Sequence, residues 1–221
     1  MADIKAKARY EKMRRSIPEH VTLVAAAKGR TAAEVKEAID AGIEIIGENY
    51  VQEAEKIINV LGDQAKWHMV GHLQRNKVKN AVQLFDMIET VDSWRLAELV
   101  DRRCAAIGRM MPVLVEINSG REASKTGVLP EEVDGLIRRL ASLRYIHVQG
   151  LMTMGPRFGD PEDARPFFRE TKKAFDRIAA AGIPNIEMRY LSMGMSNSYE
   201  IAIEEGSNMV RIGTKLFGPR E

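Results

Sequence analysis

The chain has 221 residues, 45% of them hydrophobic, with 33 Lys and Arg against 31 Asp and Glu for a formal net charge of +2. That length suits one domain with a sizeable core, and the near balance of charge argues against a nucleic-acid partner, because the pairs Arg102-Arg103, Arg138-Arg139 and Lys172-Lys173 are scattered and form no concentrated stripe. A membrane span, a secretion signal, an internal disulfide and a multi-cysteine metal site are all unsupported: no run of about 18 apolar residues occurs, the opening Ala2–Arg15 is charged, and Cys104 is alone, so a cytoplasmic protein is expected.

A charged amphipathic stretch predicts a helix over Ala2–Ser16. The apolar run Val21 to Ala27 then predicts a buried strand, Thr22–Lys28, that ends on an amine. Thr31 with Glu34 three residues on forms a capping box for the next helix, which Gly42 stops. Short apolar runs at Ile45–Glu48, Trp67–Gly71, Met87–Val91, Pro112–Ile117, Ile146–Thr153, Met188–Ser192 and Met209–Gly213 follow, separated by stretches of helical periodicity. Pro130-Glu131-Glu132 supplies a first-turn proline and carboxylates, and Gly182 a stop signal. Eight strand-helix units in this length fit a closed α/β barrel, a (β/α)₈ TIM barrel forming one domain over residues 1–221, better than an open sheet.

Such barrels place their chemistry at the carboxyl ends of the strands. Lys28 would stand after the first strand, Asn49 the second, His72 the third and Asn118 the fifth, with Met152 to Met154 at the sixth, Ser192 at the seventh and Gly213-Thr214 at the eighth. A lysine amine that burial strips of its charge can attack a carbonyl and form a Schiff base, whereas a lysine at a strand end can equally snorkel into water. In Ser192-Met193-Gly194-Met195-Ser196 and Arg211-Ile212-Gly213-Thr214, small residues allow close approach to an anion, and a helix start after Ser196 would add its dipole.

Five strings carry a resemblance: Gly47-Glu48-Asn49-Tyr50-Val51-Gln52-Glu53, Trp67 through Lys77, Gly150-Leu151-Met152-Thr153-Met154, Leu191 through Ser196, and Val210 through Gly218. The chain resembles the pyridoxal-phosphate homeostasis family, related to the barrel domain of alanine racemase. The resemblance implies that Lys28 forms the Schiff base with pyridoxal 5'-phosphate (PLP), and that Ser192, Gly194, Gly213 and Thr214 hold its phosphate. It further implies that Arg211 approaches the pyridine nitrogen, that Asn49 bonds near the phenolic oxygen or the aldimine, and that Met152 packs against the ring. This chain departs from the family in carrying Arg30 where relatives often have a second lysine, and Ser198 where they often have an acidic residue. The first departure puts a second lysine's role in cofactor transfer in doubt.

His68 and His72 have the spacing of a helical zinc pair, yet the run around them reads as a strand, along which four residues span roughly 13 Å, so no shared metal is expected. His68 then reads as a satisfied core histidine and His72 as a rim group. Glu116 is a lone carboxylate that can face the barrel interior, and Arg75, Lys77 and Lys79 read as a solvated face. Only Gly218 to Glu221 follow the last motif, so no second domain of the alanine-racemase kind, with its opposing tyrosine, is expected. The resemblance therefore implies a carrier that binds PLP and passes it to apo PLP-dependent enzymes, not a dedicated enzyme. A weak amino-acid racemase and a Schiff-base aldolase or lyase on a phosphorylated substrate stay open, as do monomer and weak dimer.

Overall fold

Eight parallel strands pair in chain order, and the last closes on the first to make a barrel. The computed structural model describes residues 2–122, 125–155 and 159–219. The strands are β1 (Thr22–Ala26), β2 (Ile45–Glu48), β3 (Lys66–Met69), β4 (Met87–Val91), β5 (Met111–Ile117), β6 (Ile146–Thr153), β7 (Ile186–Ser192) and β8 (Met209–Ile212). The helices are α1 (Ala2–Ser16), α2 (Ala32–Asp40), α3 (Val51–Leu61), α4 (Val78–Leu84), α5 (Trp94–Ala105), α6 (Val133–Leu140), α7 (Arg165–Ala180), α8 (Tyr199–Glu204) and α9 (Thr214–Phe217). The expected barrel is therefore present, and among the described residues no helix is long and apolar enough to cross a membrane.

Strand alternation sorts the side chains into two layers. Val24, Val70, Met87, Leu114, Met152 and Met209 pack together inside the barrel. Their sequence neighbours, Ala25, Met69, Ile88, Val113 and Leu151 among them, pack outward against the helices with Phe85 and Phe168. Each large aliphatic or aromatic side chain so buried contributes about 1.5–3 kcal/mol. Cys104 lies in this outer layer, where burial pushes its thiol up to about 11, as suits a core filler.

The Thr31–Glu34 capping box forms, with the Glu34 amide donating to the Thr31 hydroxyl at 3.3 Å and the Thr31 amide to Glu34 Oε2 at 2.8 Å. Gly42 and Gly182 stand just beyond α2 and α7. Pro130-Glu131-Glu132 differs from expectation: it forms a turn closed by the Glu132 amide on the Leu129 carbonyl, and α6 starts only at Val133. α8 likewise starts at Tyr199, later than expected. The N-terminal helix has a structural task. The eighth strand is followed by a single helical turn, α9, and α1 packs against both α9 and α2, burying Met13 and Ile17 and completing the outer ring at that seam.

Candidate functional site

β1 stops at Ala26, and Lys28 lies two residues beyond it in a turn. The Arg30 amide closes that turn on the Ala27 carbonyl at 2.9 Å, with Gly29 at φ 69°, a left-handed conformation that favours glycine. Lys28 is half-buried, and its Nζ stands 5.1 Å from the centre of the Tyr50 ring, which is itself 47% exposed. The expected strand end sunk in a dry core is thus corrected: the amine sits in the barrel mouth, steadied by a cation–π contact worth about 0.5–1 kcal/mol at an exposed site. Asn49, half-buried, precedes Tyr50 at the end of β2.

The loops after β7 and β8 form a polar lip beside it. Because β8 is the neighbour of β1, with Ala25 level with Ile212, the segment Gly213-Thr214 emerges next to the Lys28 turn. A Cβ on Gly213 would stand 3.2 Å from the Ala26 carbonyl oxygen. The Ser196 hydroxyl accepts from the Gly213 amide at 3.2 Å and the Lys215 amide at 3.4 Å, tying the two loops together. Gly194 has φ 92°, and a Cβ there would meet Ala202 Cβ at 2.6 Å, so glycine lets the loop close on α8. Ser198, 2% exposed, accepts from the Met195 amide at 3.3 Å and braces the same loop.

Under the lip lies a buried polar chain that crosses the barrel. His68 Nδ1 is 2.8 Å from Glu89 Oε1. The Ser192 hydroxyl donates to Glu89 Oε2 at 2.7 Å and accepts from Arg211 Nη1 at 2.6 Å. Arg211 also donates to the Ser192 carbonyl at 2.9 Å and, through Nη2, to the Thr153 carbonyl at 2.9 Å. Burial works to raise the Glu89 carboxyl, but the His68 hydrogen bond and charge, the Arg211 charge and the Ser192 hydroxyl together hold it below its ordinary value. Burial pulls the Arg211 guanidinium down, against the opposing charges of Glu89 and Glu116. Ser192 is fully buried with its hydroxyl committed to this chain, so the serine oxygen at the lip is that of Ser196.

Glu116 faces the same interior. Its Oε1 accepts from the Thr126 hydroxyl at 2.9 Å, while Oε2 is buried and has no partner among the described residues. Burial, with Asp92 adding, pushes its carboxyl up to about 7 against the pull of Thr126 and Arg211. Met152, level with Glu116 on the next strand, is fully buried in the barrel floor. His72 is at the rim, 3.6 Å from Asp92, and so diverges from His68. Asn118 braces the loop after β5 by donating to the Glu122 carbonyl at 2.9 Å. Arg30 pairs with Glu34 at 2.9 Å and stacks over Phe217, clasping α2 to α9, and Arg75 and Lys79 are exposed. Sequence reasoning missed Glu89 and Tyr50 and placed Ser196 in the anion-facing segment without singling it out, while its satisfied core histidine, His68, is the buried partner of Glu89.

The family described as alanine racemase, N-terminal domain, matches residues 5–221. A pyridoxal phosphate homeostasis protein of Aquifex aeolicus is 38% identical over 200 residues, 90% of this chain and 87% of that one. Its counterpart in Escherichia coli is 38% identical over 216 residues, 92% of this chain and 88% of that one. Among solved structures, PipY of Synechococcus elongatus with PLP bound superposes with a TM-score of 0.89 at 32% identity, covering 96% of this chain and 100% of that one. An alanine racemase of Clostridium difficile shares the fold, with a TM-score of 0.81 at 20% identity over 98% of this chain and 57% of its own. A barrel with this lip and these relatives belongs to the pyridoxal phosphate homeostasis protein family.

Proposed function

We propose that this protein binds PLP reversibly at the barrel mouth, through Lys28, and holds it for delivery to apo enzymes without a catalytic task of its own. The observation that carries this reading is the meeting of the β1 turn bearing Lys28 with the Gly213-Thr214 lip on the adjoining strand, above the Arg211 guanidinium. PLP supplies an aldehyde that condenses reversibly with an amine, and a phosphate that needs N–H donors.

The residues present fit that group. Gly213 leaves open the space that a side chain would fill against Ala26, and the Gly213 and Lys215 amides, now spent on Ser196, can turn to an anion together with the Thr214 and Ser196 hydroxyls. Gly194 lets the loop lie close enough to take part. Three of the five Arg211 N–H groups are committed to Ser192 and Thr153, which leaves Nε and one Nη2 hydrogen for a ring nitrogen. Arginine donates without giving up its proton, so this site does not promote carbanion chemistry on a bound amine. Asn49 lies on the Lys28 side for the phenolic oxygen, and Met152 supports the floor. The open mouth beside Tyr50 admits a competing amine, which would release the ligand.

Titration with PLP tests the reading: a visible band should appear with the wild type and not with Lys28→Ala, and loaded protein should restore an apo enzyme's activity. A second reading, weak racemisation, is favoured by Glu116, whose unpartnered oxygen near Arg211 is placed to hold a proton. Deuterium entering the alpha carbon of added amino acids from heavy water would support it and overturn the pure carrier.

A further inference from the structure

The polar chain beneath the lip is costly to build, since a guanidinium that is 4% exposed and a carboxylate that is fully buried both lose their hydration. Its hydrogen count is nevertheless determined from one end. Arg211 can only donate, so the Ser192 oxygen accepts from it at 2.6 Å, and the single Ser192 hydrogen goes to Glu89 Oε2 at 2.7 Å. Glu89 therefore accepts on that oxygen, and as an ionised group it accepts on the other, which places a hydrogen on His68 Nδ1 at 2.8 Å. The order of donation runs inward from both sides to Glu89. Four strands contribute, His68 from β3, Glu89 from β4, Ser192 from β7 and Arg211 from β8, so the chain spans the barrel. Among the described residues Glu89 is the one carboxylate within 4.0 Å of Arg211, at Nη1, and Glu116 acts on Arg211 only through charge.

We propose that His68 and Glu89 are positioning residues: acting through Ser192, they hold the Arg211 guanidinium charged and fixed so that its free N–H groups select a ligand with an acceptor nitrogen in its ring. The inference rests on the PLP reading and adds a cause for ring selectivity. A merely structural role for the pair predicts equal loss of affinity for any ligand of that shape. A positioning role predicts loss confined to ligands that have the nitrogen.

The test compares PLP with 2-formyl-3-hydroxy-4-methylbenzyl phosphate, which has the same substituents and replaces only the ring nitrogen by C–H, in fluorescence or absorbance titrations. The wild type should favour PLP by about tenfold or more, the size of one charge-assisted hydrogen bond. In Glu89→Gln the preference should fall towards unity, because the analogue's affinity changes little while that of PLP drops. His68→Gln, which keeps a donor for Glu89, should retain the preference, and His68→Leu should lose most of it. If Glu89→Gln fails to fold by circular dichroism, Ser192→Ala, which removes the relay hydroxyl without removing a charge, replaces it in the same comparison with the same expected loss. An unchanged ratio in Glu89→Gln and His68→Leu, or parallel weakening of both ligands, overturns the positioning role while the PLP reading stands. A wild type that binds neither ligand overturns both.

Discussion

Glu48, at the end of β2, offers a prediction that depends on the fold and not on any ligand. The adjoining Gly47 faces the barrel interior, since a Cβ there would meet Val24 and Val70, so Glu48 points outward beneath the helices. It is fully buried, and among the described residues neither carboxylate oxygen has a hydrogen-bond partner. Burial, with the nearby Glu53 charge adding, raises its pKa to about 8, against a smaller lowering by the Asn49 backbone. A carboxyl whose folded pKa is raised binds its proton more tightly folded than unfolded, so its contribution to stability is fully present below the unfolded value near 4.5 and is lost as pH rises towards about 8. Across that window one proton is held by the native state alone, which makes stability fall by about 1.4 kcal/mol per pH unit, a total of about 5 kcal/mol. Glu48→Gln keeps the shape and removes the proton. Urea unfolding at half-unit steps from pH 5 to pH 8 should show the variant gaining on the wild type by several kcal/mol over the range, on top of a constant offset from burying an amide. Parallel curves for the two proteins would refute the burial argument.

Gly71 approaches the Asn49 backbone so closely that a Cβ would stand 2.4 Å from the Asn49 oxygen, so Gly71→Ala should cost at least about 2 kcal/mol in urea unfolding, and an unchanged midpoint would contradict that packing. Ser196→Ala removes the shared acceptor of two lip amides and should weaken PLP about five- to tenfold by titration, whereas an unchanged affinity would remove Ser196 from the lip. Arg30→Lys gives up a guanidinium that reaches Glu34 with one nitrogen and the Gly218 carbonyl with the other, together with the stack over Phe217, and should lower Tm by about 2–4 °C while PLP affinity holds. A loss of affinity there would give Arg30 a direct part in binding.

The barrel was legible because its units are local: β2, β4 and β6 run over the expected residues, and each apolar run ends where chain geometry turns. β7 starts earlier than expected, at Ile186, because Glu187 and Arg189 alternate with half-buried apolar residues and break up the run. β1 and β3 end sooner, where Lys28 and Gly71 already belong to the rim. Lys28, Arg211 and Gly213 were visible because strand ends with distinctive chemistry declare themselves one at a time. Glu89 was not, because its partners lie on three other strands and no local spacing encodes them. A signal was nonetheless present: Met87 and Glu89 share the inward parity of one strand, and a carboxylate on that face must find donors. Choosing between Ser192 and Ser196 likewise needed the third dimension, since one short string contains both hydroxyls and only the barrel's closure shows which of them turns inward.

The most direct test of the account is chemical trapping. Incubation with PLP followed by borohydride reduction, proteolysis and mass spectrometry should place a phosphopyridoxyl group on Lys28 and leave Lys215 and the other lysines unmodified. A label spread over surface lysines, or persisting undiminished in Lys28→Ala, would contradict the central claim.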